Sequence, residues 1–347
     1  MLFLQIILFL VGAIIVLGTL FSAIRTFVLP RSSQDVLTRT VFSLVGKLFS
    51  IVVKSKKTYL ARDRILAFYA PVSLIVLVPV WLSLLTIGYT GMFWGAGISS
   101  FYTAFRISGS SILTLGFENG QTFFQTILMF TAGTFGLLLI ALLIAYLPTI
   151  YAAFSRREIL VKLLEVRAGN PPSAIELIKR YHRIHGLENL KDQWIPWENW
   201  FSDIEESHTS LPALVFFRSP KPTHSWVTAS AAVLDSAALV LSSLDIPESP
   251  NAALCIRAGY LALRSIADFF NIAYETDPHF PEVTISVSRE EFEQALDELA
   301  KAGVPLKSDR DRAWVDYGGW RVNYDKALLG LVKITMAPAA TWTGVHQ

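Results

Sequence analysis

Three stretches of this 347-residue chain carry no charged side chain: residues 1–24, 65–105 and 119–155. No other feature limits the fold as much. A helical bilayer span takes about 20 apolar residues, and each stretch exceeds that length. Backbone polar groups in hydrocarbon must be satisfied internally, so such stretches predict helices wherever they meet lipid. With 52% hydrophobic residues and a mean hydropathy of +0.45, the chain has the composition of an integral membrane protein with a water-soluble part.

The charges divide the chain in two. Residues 1–155 hold ten Lys/Arg and three Asp/Glu, whereas residues 156–347 hold twenty and twenty-five. Nine of the first ten cations fall between Arg25 and Arg64. Cations beside spans mark cytoplasmic loops and lipid headgroups, so lipid rather than nucleic acid is the expected partner. Arg156 and Arg157, directly after the third stretch, point the same way. Together the two clusters predict an outside amino terminus, an outward-facing 114–118 segment and a cytoplasmic carboxyl half, in a plasma (inner) membrane.

Residues 1–24 are expected to be a retained transmembrane helix rather than a signal peptide, closed by Arg25, Pro30 and Arg31. Residues 25–64 form a basic cytosolic linker. Its apolar segment 41–53 is short for a span, which predicts an interfacial helix; a fourth, short or re-entrant span is the rival. Residues 65–90 make an outer helix kinked by Pro71 and Pro79, and 91–95 an interfacial turn. Residues 101–113 make a short helix. Glu118-Asn119-Gly120 is a turn, and residues 121–153 are a third membrane helix. Beyond residue 156 the pattern is helical with no sustained strand periodicity. Capping boxes are expected at Ser173/Glu176 and Ser288/Glu291, and a break at Gly318-Gly319.

The short helix and the third membrane helix flank Thr114-Leu115-Gly116-Phe117-Glu118. Non-helical backbone at membrane depth is tolerated only where it is buried in protein or lines a watery cavity. A few extended residues there can turn carbonyl oxygens toward an ion in place of its water. Threonine adds a hydroxyl, glycine permits unusual dihedrals, and Leu115 and Phe117 are expected to pack behind the strand.

Thr114-Leu115-Gly116-Phe117 resembles the Thr-Val-Gly-Tyr-Gly filter of potassium channels, and residues 65–155 resemble the pore domain of a bacterial potassium-channel-family protein. The resemblance implies an all-α membrane fold: a pore of two helices plus a re-entrant loop, an extra N-terminal transmembrane helix and a helical cytosolic domain at 156–347. It implies a homotetramer with Thr114, Leu115, Gly116 and Phe117 coordinating a permeant monovalent cation, potassium, and no other cofactor. Glu118 and Asn119 stand where the family has its second glycine and an aspartate.

Four copies of Glu118 would form a carboxylate ring at the outer mouth, which concentrates cations and shifts proton affinity upward. Arg106 is either its partner or a snorkelling surface residue. Gly133 and Gly136 are candidate bending points or close-packing sites, and Pro148 a candidate gate kink. Thr134, Leu138, Ala141 and Ala145 are the expected cavity stripe. The pair His182 and His185 has no clear third metal ligand, and Cys255, the single cysteine, can form no disulfide within the chain. Trp194, Trp197, Trp200, Trp314 and Trp320 are expected in a core. There is no P-loop, Gly-x-Gly-x-x-Gly or Gly-x-Ser-x-Gly, so no enzyme is expected. The cytosolic ligand or protein partner is not specified by any motif. The rival to a conducting pore is a membrane-anchored sensor or scaffold with a non-conducting, channel-like core.

Overall fold

The computed structural model describes residues 2–29, 35–247, 249–340 and 342; Pro30 and Arg31 lie outside the described residues. Those residues form thirteen α-helices and no strand, with one isolated bridge between Leu244 and Leu306. Five helical stretches are long and apolar enough to cross a membrane. The chain divides into two compact units. The first comprises Met1–Ser55 and Ile65–Ala152, the second Lys56–Arg64 and Ala153–Gln347.

The first unit contains α1 (Leu2–Phe27), α2 (Val36–Lys54), α4 (Tyr69–Gly95), α5 (Phe101–Ile112) and the first part of α6 (Phe123–Ala168). The short α3 (Tyr59–Leu66) precedes α4. α1 and α4 pack antiparallel through glycines. A Cβ on Gly12 would lie 2.3 Å from the Gly88 carbonyl oxygen, and one on Gly95 would lie 2.6 Å from that of Gln5. Lipid tails give helices no hydrophobic reason to associate, so this close backbone approach is the way such pairs gain contact. It also corrects the expected turn at 91–95: these residues continue α4, because Gly91 and Gly95 are packing positions against α1. The outer helix is therefore shifted from the expected 65–90. Pro71 falls in its first turn, where no intrahelical N–H bond is lost; Pro79 alone is internal.

α2 is longer than the expected 41–53. Asp35 caps it by accepting from Thr38 N at 2.8 Å, and it runs 19 residues to Lys54. That length permits a span. Its polar contacts are nevertheless with the end of α1 and the start of α4: Ser22 Oγ donates to Asp35, Thr26 bonds Thr38, and Tyr69 donates to the Phe42 carbonyl. The helix thus flanks one end of the α1–α4 pair.

The second unit is built around α9 (Trp226–Ser243), capped by Ser225 and buried on nearly every face. A helix apolar all round belongs in a core. Of the five membrane-length helices it alone is almost wholly enclosed, 94% of its apolar window being buried. Around it pack α7 (Ala174–Arg183), α10 (Pro250–Phe269), α12 (Arg310–Arg321) and α13 (Asp325–Thr335), with α8 (Lys191–Ser210) against α10 and α11 (Arg289–Lys301) against α7. Trp194, Trp197 and Trp200 are core residues, and Trp314 and Trp320 pack against that core. Gly318 and Gly319 do not break the final helical region. α12 runs through both, since Gly318 admits the Phe280 ring, 2.5 Å from where a Cβ would stand; the break comes at 322–324.

Within this core lies a salt-bridged cluster. Arg321, fully buried, donates to Asp235 at 2.6 Å and Asp325 at 2.7 Å. Tyr324 OH adds a bond to Asp235 at 2.8 Å, and Ser286 donates twice to Asp325. Burial pushes the Asp235 carboxyl upward, and the Arg321 guanidinium opposes it. Buried Cys255 is likewise pushed up by desolvation, which leaves it an inert apolar filler.

Candidate functional site

α5 is capped by Ser100, whose hydroxyl accepts from Thr103 N, and ends one residue before the expected position. Ser108 Oγ donates to the Thr86 carbonyl of α4 at 2.9 Å, fixing its buried face. The helix closes in a Schellman arrangement. Thr114 N donates to the Ser111 carbonyl at 3.1 Å, and Leu115 N to the Ser110 carbonyl at 2.8 Å. The left-handed residue this turn needs is normally glycine; here it is Thr114, at φ 54°. A β-branched residue there is a steric outlier costing about 1–2 kcal/mol. Strain of this kind persists where the surroundings enforce it, and it clusters at functional sites.

The loop then folds back on Ser110. Phe117 N donates to the Ser110 hydroxyl at 3.0 Å and Glu118 N at 3.2 Å. Gly116 is again left-handed, at φ 71°, while Leu115 and Phe117 are not. Alternation of this kind turns successive N–H groups to one side and carbonyls to the other. Ser110 therefore collects N–H groups, and among the described residues no donor reaches the carbonyls of Thr114, Leu115, Gly116 or Phe117.

The side chains depart from expectation. Leu115 and Phe117 do not pack behind the loop, where Ser110 already holds the backbone; they are 60% and 55% exposed, and Leu113 is 48% exposed. Arg106 pairs with Glu118 at 2.7 Å, and its guanidinium sits 5.6 Å from the Phe117 ring centroid. Of the two expectations for Arg106, the ion pair is the one observed. The Glu118 carboxylate is thus paired rather than bare.

α6 leaves the loop through Gln125, which the sequence does not single out. Its Oε1 accepts from Gln121 N and Thr122 N, and its Nε2 donates to the Ala96 carbonyl past the end of α4. Gln125 thereby caps its own helix and fastens it to α4. Tyr89 of α4 donates to Thr131 at 3.0 Å. Gly136 meets the end of α5: a Cβ there would lie 2.1 Å from the Ile112 carbonyl oxygen, and one on Gly133 would lie 3.3 Å from that of Ser111. α6 runs unbroken through both glycines and through Pro148. One stripe of α6, including Leu128, Ala132, Leu139, Tyr146 and Ile150, is buried. Thr134, Leu138, Ala141 and Ala145 are exposed.

One further placement corrects the sequence reading. Arg157 is not at a headgroup surface; it is buried in the second unit, where the carbonyls of Leu214 and Phe217 accept from it. His182 and His185 assemble no site, since among the described residues no group of three His, Cys, Asp or Glu could hold a metal. No family model, curated protein or solved structure matches the chain.

Proposed function

We propose that four copies of this chain surround an axis and form a passive cation channel, with potassium as the favoured ion. Thr114, Leu115, Gly116 and Phe117 supply the ion-facing carbonyls, and Glu118 stands at the outer mouth with Arg106 beside it. The observation that carries this reading is the polarity of the loop. Its N–H groups go to Ser110 and Ser111, and among the described residues its carbonyls have no donor. Buried or membrane-depth carbonyls require partners; a partly dehydrated cation is one.

Two features support assembly. One loop cannot encircle an ion, whereas a cyclic set can. The exposed Leu113, Leu115 and Phe117, together with the exposed α6 stripe, give apolar surface for neighbouring copies and for a cavity below the loop. The carboxyl end of α5 adds partial negative charge toward the loop, which favours a cation. In this reading α1, α4 and α6 cross the plasma (inner) membrane with the amino terminus outside, and the second unit is cytosolic and biases α6.

The test is cation flux into liposomes holding the purified protein, beside a Gly116→Ala variant. Gly116 has a backbone conformation that side chains resist, and open space surrounds its missing Cβ. The substitution therefore strains the loop without disturbing packing elsewhere. Potassium flux lost in the variant supports the reading. A wild type that passes no cation across a range of voltage and pH contradicts it.

A further inference from the structure

Two arginines in the second unit converge on one short segment. Arg157, on α6 five residues past the first unit, has its side chain 1% exposed. It donates to the Leu214 carbonyl at 2.9 Å and the Phe217 carbonyl at 2.8 Å, and its NH1 lies 3.3 Å from His208 Nε2. Trp200 Nε1 returns a bond to the Arg157 carbonyl at 3.0 Å. The neighbouring residue, Arg218, faces the other way. It donates to Asp63 and to Tyr59 OH, both at 2.9 Å, and to the carbonyls of Thr335 and Met336. Asp63 and Tyr59 belong to α3, which ends three residues before α4 starts. Lys221 adds a second tie to α6 through Glu165, at 2.6 Å.

The Arg218–Asp63 pair is enclosed, with side chains 12% and 8% exposed. Breaking a pair this enclosed from one side is costly, because a desolvated charge is left behind. Arg157 satisfies one carbonyl of a 3-10 turn, Pro212–Phe216, and that of its cap, Phe217; such a turn has few internal bonds of its own. Residues 214–218 are thus tied to both α6 and α3.

We propose that residues 214–218 form a joint linking the root of α6, at Arg157, to the root of α4, at Asp63 of the preceding α3. A change in the helical domain then displaces both roots together. This inference rests on the pore reading for its physiological meaning, but not for its test. Arg218 and Asp63 are positioning residues here, since neither touches the ion path. Coupling between two sites is reciprocal, so loosening one root loosens the other.

The experiment is hydrogen exchange on the full chain in nanodiscs, with potassium flux measured in parallel. Asp63→Asn removes the charge but keeps the shape, and Tyr59→Phe is the milder variant should Asp63→Asn fold poorly. The joint predicts exchange at least about fivefold faster in residues 59–66 and also in 153–160, with the reversed pair Asp63→Arg/Arg218→Asp restoring part of the protection. Exchange that rises only in 59–66, in either variant, overturns the joint. Propagated exchange in a protein that conducts no ion keeps the joint and sinks the pore reading. Altered flux with propagated exchange supports both.

Discussion

Arg106 on α5 and Glu118 in the loop that follows it close an ion pair of 2.7 Å, and the same guanidinium covers the Phe117 ring. Both side chains retain solvent contact, so the pair contributes at most about 1 kcal/mol to stability. Its weight is electrostatic. Arg106→Gln is expected to leave the melting temperature within about 3 °C of wild type, while exposing the Glu118 charge and making flux more sensitive to block by external divalent cations. Glu118→Gln is expected to reduce that sensitivity. Identical block curves for both variants would remove Glu118 from the mouth.

Gly136 answers a different question. A methyl group there would lie 2.1 Å from the Ile112 carbonyl oxygen, a backbone atom that cannot move aside alone. Gly136→Ala is expected to cost about 1–3 kcal/mol by overpacking, and Gly133→Ala, whose Cβ would stand 3.3 Å from the Ser111 carbonyl oxygen, less. Thermal unfolding in detergent measures both. Equal tolerance at the two sites would favour bending over packing.

Thr114 sits in a conformation that glycine adopts without strain. Thr114→Gly is expected to raise stability by about 1 kcal/mol through relief of the left-handed strain. It should simultaneously lower potassium-over-sodium preference, because a hydroxyl and a stiff backbone are lost. Raised melting temperature with unchanged selectivity would show that the strain is incidental.

Much of this architecture was legible from charge and spacing alone. Three uncharged runs predicted membrane helices, and α5 and the start of α6 fall within two residues of expectation. Ser288 and Glu291 form the full capping box. At Ser173 only half forms: the hydroxyl caps, but the Glu176 side chain goes to Arg180, because a full charge four residues on outcompetes a backbone N–H. What stayed hidden depends on three-dimensional neighbours. Arg157 looks like any basic residue after a span until the 3-10 turn folds over it. Gly91 and Gly95 read as a turn because glycine marks turns and close helix contacts equally. The strain at Thr114 has no sequence signal, since the motif fixes residue types and not their dihedrals.

His208 gives the second unit a pH dependence. It is fully buried, with Arg157 on Nε2, Ser207 on Nδ1 and the Trp226 ring 4.7 Å away. Burial, reinforced by the Arg157 charge, holds its imidazole well below the ordinary histidine range. The unfolded chain therefore binds a proton that the folded chain refuses once pH falls below about 6.5. The stability contribution is complete above that pH and declines below it, by up to about 1.4 kcal/mol per pH unit. Denaturant unfolding at pH 7.5 and 5.5 should show this loss, and His208→Gln should flatten it. An unchanged slope in the variant would assign the acid sensitivity elsewhere.

The most direct test of the central claim is to locate the ion. Crystals or vitrified particles of the assembled protein in rubidium or thallium, which substitute for potassium and scatter strongly, should show density on a fourfold axis between the carbonyls of Thr114, Leu115, Gly116 and Phe117. An assembly without such an axis, or an axis with no ion density beside those carbonyls, would contradict the account.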